Sequence, residues 1–506
     1  MRRVALAGPA AALLLVVLVM PAGGGGTARG APQRQPTPTT AAPAATTIAV
    51  TDRPHRMAEP AAVVDPADPR RIVAAADPYR QPVRIVIASS SDGGASWGQQ
   101  VPVLPPGFAK SYDPVLAVAP DGAVLVAGGA SATGRPDCQP GSAIFLARLG
   151  AGGIRYVLVR RARGPGSYAD RPAMALDRRT GRAYLTWTES TGAAAECQGM
   201  PSRSVTMLAA ADQDASVGRA WALPSSGLPA PFGSAPAVDA AGVLHIAIRE
   251  RAPSKNLERL VALSSSDGGA SFGQPVVLGQ GPLVPPRLPG LGGLLASIPS
   301  ISASLDGRVA VAWSASTPSG PRAVVAERAP QGRWRRAALP PATAAAGLWP
   351  TVAYGTDGTC YLLGGQVTSA GALRFLLSVR TDRWQAPVTL GSSPAGGYQE
   401  VGELLGLGAA AGTVVAAVPL DGADRSRLLV WRRRDPPAPL APAAPSSMMT
   451  VPSRGGPSAA GPSTTRQGGR PARRSGPPGA VWLAVVPVAA VVLLRLRALR
   501  RRRLPR

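Results

Sequence analysis

Short runs of Val, Leu, Ile and Ala recur along the chain, each soon broken by Gly, Pro, Asp or Ser. Runs this short, bounded by turn residues, predict strands instead of helices. They also recur in register. EPAAVVDPADPRRIVAAAD (59–77), DPVLAVAPDGAVLVAGG (113–129) and RPAMALDRRTGRAYLTWTE (171–189) each read as x-Pro, an apolar strand, a turn and a second apolar strand. The same order returns in APAVDAAGVLHIAIRE (235–250), IPSISASLDGRVAVAWSA (298–315) and WPTVAYGTDGTCYLLGG (349–365). The prolines fall at 60, 114, 172, 236, 299 and 350, at the strand's first residue, where a sheet tolerates them. A seventh copy, EVGELLGLGAAAGTVVAAVPL (400–420), lacks the Pro but keeps both strands.

Each unit continues with a third strand, a turn and a fourth strand. SSSDGGASWGQ (89–99) and SSSDGGASFGQ (264–274) are that later turn in units one and four. Weaker versions end on Trp221, Trp334 and Trp384, in the place held by Trp97 and Phe272. Four antiparallel strands per unit, repeated at this period, predict an all-β fold, a β-propeller. The seventh unit stops at RLLVWRRR (427–434), one strand short, and TTIAV (46–50) ahead of unit one supplies the missing strand. Seven blades are therefore preferred to six, the alternative.

The two turns resemble the Asp-box, or BNR repeat, of the sialidase-like propellers. The resemblance rests on Ser90, Asp92, Gly94, Ser96 and Trp97, and on Ser265, Asp267, Gly269, Ser271 and Phe272, and covers roughly residues 45–435. Physically, the Asp accepts N–H bonds inside the turn, the glycines permit positive φ, and the aromatic lies beneath it. The resemblance implies that the boxes are structural and lie away from the active-site face. It also implies what catalysis requires: three arginines that clamp a substrate carboxylate, a Tyr–Glu nucleophile pair and an Asp acid/base. The first of those arginines normally sits in an R-I-P element, whereas this chain has HRMAEPAA (55–62), with Arg56 displaced and Glu59 before the Pro. A clamp would have to draw on Arg56, Arg171 and Arg249.

Composition agrees with short strands: 59 Gly and 55 Pro among 506 residues, and only 4% aromatics. The net charge of +26 does not argue for nucleic acid, because ten arginines and no acid lie between Arg470 and Arg506. The ends are not propeller. Residues 1–31 read as a signal peptide, with Arg2 and Arg3 ahead of an apolar run at 4–20, and 32–44 as a Pro/Thr-rich spacer. Residues 436–476 form a Pro/Ala/Ser-rich stalk, 477–494 an apolar segment predicted as a transmembrane helix, and 495–506 a basic tail expected to stay cytoplasmic. The expected location is the cell membrane, with the propeller on the extracytoplasmic side.

Little standard chemistry is visible. His55 and His245 make no metal site, and no C-x-x-C, phosphate loop or nucleophile elbow occurs, so no metal or cofactor is expected. Residues just ahead of the inner strands should line one mouth of the central channel. These are Glu59, Tyr112, Asp113, Tyr168, Asp170, Arg171, Trp349, Tyr398 and Glu400, with Arg249 near them. Acids and aromatics together suit a glycan; an extracellular protein partner and an exo-sialidase-type hydrolase are the other readings, and aromatics that simply plug the channel are the structural alternative. Cys138 and Cys197 occupy equivalent connections of units two and three, within reach of a disulfide in an oxidising compartment, while Cys360 lies inside a strand as a buried free thiol.

Overall fold

The computed structural model describes residues 45–48, 57–78, 83–132, 141–162, 167–191, 203–285, 288, 297–394, 403–410, 412–421 and 426–434. They belong to one compact unit that ends at Ala441. A first strand, β1 (Ala45–Ile48), precedes the repeats. Blade 1 follows as β2 (Met57–Val64), β3 (Ile72–Pro78), β4 (Ile85–Ser90) and β5 (Val101–Val103). Blade 2 is β6 (Lys110–Val118), β7 (Val124–Ser131), β8 (Ala143–Gly150) and β9 (Gly153–Arg161). Blade 3 is β10 (Tyr168–Asp177), β11 (Arg182–Thr191), β12 (Arg203–Ala211) and β13 (Trp221–Ala222). Blade 4 is β14 (Ala230–Val238), β15 (Leu244–Ala252), β16 (Leu257–Ser265) and β17 (Val276–Gly281). Blade 5 is β18 (Ser300–Ala303), β19 (Val309–Ala315), β20 (Arg322–Arg328) and β21 (Trp334–Arg336). Blade 6 is β22 (Leu348–Tyr354), β23 (Cys360–Val367), β24 (Leu373–Arg380) and β25 (Val388–Ser393). Blade 7 is β26 (Gly406–Ala410), β27 (Thr413–Asp421) and β28 (Ser426–Arg434).

The seventh sheet takes its fourth strand from the other end of the chain. β1 pairs antiparallel with β28, Thr46 opposite Val430 and Ile48 opposite Leu428. Among the described residues that makes seven four-stranded antiparallel sheets. Consecutive inner strands touch all the way round, and β26 touches β2, so the ring is closed.

Apolar side chains fill every interface between neighbouring blades. Between blades 2 and 3, Ile144 and Leu146 meet Leu185 and Trp187. Between blades 6 and 7, Tyr361 and Phe375 meet Val414 and Val418. The closing interface brings Met57 and Ile72 against Val415, Ala417 and Val430. There the backbones come close: a Cβ on Gly406 or Gly408 would sit 2.8 Å from backbone carbons of Ala61 and Val63. The GLGAA composition of β26 follows from that approach.

The two SSSDGG turns are built as expected. Ser96 and Ser271 N–H groups donate to Asp92 and Asp267 at 2.9 Å, and Gly94 and Gly269 N–H groups donate to the Ser90 and Ser265 hydroxyls at 2.7 and 2.8 Å. The glycine pairs adopt φ of 74° and 84°, and of 70° and 90°. Trp97 and Phe272 are half-buried against the neighbouring cores. Hydroxyl donors, Ser96 foremost for Asp92 and Ser265 for Asp267, hold both carboxyls below the usual range.

Two expectations need correction. The repeat prolines do not stand first in their strands. Pro60, Pro114, Pro172 and Pro350 lie in β-bulges partway along the inner strands, where the register slips past the residue pair that contains them. In unit four, Pro236 is an ordinary ladder residue opposite Ile246, and the bulge falls at Phe232 and Gly233 instead. The turn residue aligns the units better than the proline does. Six residues ahead of Asp65, Ala119, Asp177, Asp239, Ser304 and Gly355 stand Glu59, Asp113, Arg171, Gly233, Ile298 and Trp349.

Cys360 is fully buried and free, and burial pushes its thiol up to about 12. Cys138 and Cys197 fall in the β7–β8 and β11–β12 connections and lie outside the described residues, as do the spacers and residues 477–494. Among the described residues no helix is long and apolar enough to cross a membrane.

Candidate functional site

The bulges lie near the starts of the inner strands, at the end of the ring where the channel mouth is expected. Glu59, Asp113, Arg171 and Trp349 adopt φ between 47° and 56°, and Gly233 adopts 84°. Left-handed backbone at a residue with a Cβ costs roughly 1–3 kcal/mol. The same strain at four equivalent places marks one end of the ring as specialised. It is the end opposite the SSSDGG turns, because in an antiparallel sheet the start of the inner strand and the turn after the third strand lie at opposite ends.

An ion-paired cluster sits there. The Arg171 guanidinium lies 2.6 Å from each oxygen of Glu403, just ahead of β26, and 2.9 Å from Asp170 beside it on β10. Glu59 on β2 accepts the backbone N–H of Glu403 at 2.7 Å. Asp113 on β6 and Asp77 on β3 complete a group of five carboxylates that act electrostatically on one another. Blades 1, 2, 3 and 7 each contribute.

Burial and mutual repulsion shift these groups. Burial first, then the charge of Glu403, pushes Glu59 well above the usual carboxyl range. Burial and then Glu59 do the same to Asp113. Glu403 is pushed up to about 7 by burial, against the pull of Arg171. Burial alone would lower Arg171, but Glu403 and Asp170 outweigh it and raise the guanidinium above its ordinary value. At neutral pH the Glu403 carboxyl is therefore poised between acid and anion.

An aromatic side chain adjoins the cluster. Phe232 in the blade 4 bulge carries the Arg171 guanidinium 4.0 Å from its ring centre and that of Arg251, on β15, at 4.3 Å. Burial and the nearby Arg249 lower Arg251 to about 10. Arg249 itself is turned to Glu258 on β16 and to the Ser297 carbonyl.

Of the residues expected at the mouth, Glu59, Asp113, Asp170 and Arg171 come together. Tyr168 is half-buried at the start of β10 beside them. Tyr112 and Trp349 are buried to 4% and 3% exposure, and Trp349 packs with Leu348, Tyr361 and Leu373, so these two are core residues instead of a ligand platform. Tyr398, Glu400, His55 and Arg56 lie outside the described residues. A three-arginine clamp is not laid out among the described residues, since Arg171 and Arg249 are both taken by carboxylates. His245 is a buried strand residue between Asp239 and Ser264. No group of three or more His, Cys, Asp or Glu among the described residues is placed to hold a metal ion.

Glu403, Phe232, Asp77 and Arg251 were missed by the sequence expectations. Counting six residues back from Asp239 would have found the blade 4 bulge; unit seven, without its Pro, carries no comparable signal for Glu403.

No family model matches the chain, and no curated protein matches it in sequence. Among solved structures it is similar to the Hadza microbial sialidase Hz136, at 12% identity and a TM-score of 0.43, over 72% of this chain and 73% of that one. It is similar to the BP39L lectin from Burkholderia pseudomallei, at 12% identity and a TM-score of 0.46, over 74% and 96%. It is also similar to an alpha-L-arabinanase from Penicillium chrysogenum, at 12% identity and a TM-score of 0.41, over 77% and 99%. The chemistry of the mouth is read from its own side chains.

Proposed function

We propose that the chain is a glycan-binding propeller whose acidic mouth takes a neutral, polyhydroxylated ligand. The carboxylate cluster around Arg171 supports this most directly. Carboxylates accept hydrogen bonds from sugar hydroxyls, and the face of Phe232 suits the C–H surface of a sugar ring. An anionic sugar would meet five carboxylates and an arginine already neutralised by two of them. A second reading, glycoside hydrolysis, is favoured by one observation: with Glu403 near 7, a protonated carboxylic acid is present at neutral pH, as a general acid requires.

A glycan array should show neutral glycans bound and their sialylated counterparts bound no better. Asp113→Ala should weaken binding about tenfold, or about 1.4 kcal/mol. Preference for sialylated ligands overturns the reading, and no glycan binding turns it towards an extracellular protein partner. Release of sugar from a panel of neutral nitrophenyl glycosides, lost in Glu403→Gln with the fold retained, promotes the second reading.

The ligand would be met outside the cell. The signal-like residues 1–31, the stalk at 436–476 and the apolar run at 477–494 support export and anchoring, with the basic tail inside. Protease added to intact expressing cells should leave a short C-terminal fragment protected. Full-length protein in the medium, tail intact, would count against anchoring.

A further inference from the structure

At the opposite end of the ring, between blades 5 and 6, lies a cavity of about 490 Å³. Six arginines line it, with Glu327 and Asp382 as the carboxylates, an excess of four positive charges. We propose that it is an anion site for the phosphate or sulfate monoester of a sugar-sized molecule.

The wall and the rim of the cavity differ in a way that suits this. Arg380 at the end of β24 is locked: it forms a two-pronged pair with Glu327 on β20, 2.7 Å for one prong, and stacks 5.0 Å from the Trp384 ring. Arg308 is held by Asp306 at 2.8 Å. Arg333, Arg335 and Arg336, on the β20–β21 turn and on β21, are exposed and make no ion pair among the described residues. Arg328 beside them reaches the Ser264 hydroxyl, at 3.4 Å. Four guanidiniums around one concavity, none of them ion-paired among the described residues, repel one another, and an oxyanion that accepts their N–H forks relieves that repulsion. The volume lies within the range of small-ligand sites, roughly 300–1,000 Å³. None of these residues belongs to the acidic mouth, so the inference is independent of the glycan reading.

The test titrates the purified full-length protein with inorganic phosphate, inorganic sulfate, glucose 6-phosphate and glucose, and separately with phosphatidylglycerol vesicles. The phosphate ester should bind and raise thermal stability, glucose should not do so through this site, and added salt should weaken the binding. Arg333→Glu with Arg335→Glu, both at exposed positions, should weaken it by at least about tenfold. Arg219→Glu, half that charge change on an exposed turn of blade 3, should leave it within about twofold of the parent. Vesicle binding that the double variant abolishes assigns the same chemistry to a lipid headgroup. No binding of any anion, or equal losses in the double variant and Arg219→Glu, overturns the site.

Discussion

Arg171→Met is expected to destabilise the propeller by about 3–5 kcal/mol at pH 8, the usual cost of removing one partner from a buried ion pair. The methionine fills much of the same space, so the loss is electrostatic: Glu403 and Asp170 lose the guanidinium that lies between them. The penalty should depend on pH. A buried acid whose folded pKa is raised gives stability that is fully present below its ordinary value and lost as pH rises through the folded one. For Glu403 that window runs from 4.5 to about 7. Without Arg171 the Glu403 carboxyl moves further up, so the variant should approach wild type near pH 5 and fall away above pH 7. Denaturant unfolding at several pH values checks this, and Glu403→Gln in the same background should restore much of the loss. A penalty equal at pH 5 and pH 8 would show that Arg171 acts by packing alone.

Trp187→Ala should cost about 3–5 kcal/mol, the usual price of a large side chain lost from a core. Trp187 is 0% exposed on β11 and fills the interface between blades 2 and 3. The backbone there is pinned on both sides, by β10 and β12, and cannot collapse into the void. Trp97→Ala, beneath a turn and half-buried, should cost clearly less. Comparable losses at the two sites, measured by guanidinium unfolding, would contradict this account of the core.

The propeller was legible because its signals are local and repeated. Apolar runs, glycines at positive φ and an aromatic after most of the later turns need only a few residues to be recognised, and TTIAV matched the one unit with a strand missing. The mouth was legible only in part. Glu59, Asp113 and Arg171 stand at the same bulge, and a proline follows each, so sequence and backbone mark them together. Glu403 comes from the blade without a proline, and Phe232 from the blade where Pro236 drew the alignment two residues along. Side-chain direction was not legible at all: a positive φ turns Trp349 into the core, whereas at Glu59 it serves a carboxylate in the channel cluster.

The pairing of β1 with β28 sets an order of events in time. A ribosome releases Thr46 early, but its partner Val430 only after nearly every other strand has been made. Blades 1 to 6 each draw on consecutive strands and can form as they emerge. The last blade cannot, and this single contact spans almost the whole propeller, the slowest kind to find. Until then the inner faces of blades 1 and 6 wait for β26 and β27, with apolar side chains of the closing core still open to water. Assembly of the ring is therefore completed at its seam, after synthesis of the propeller is over.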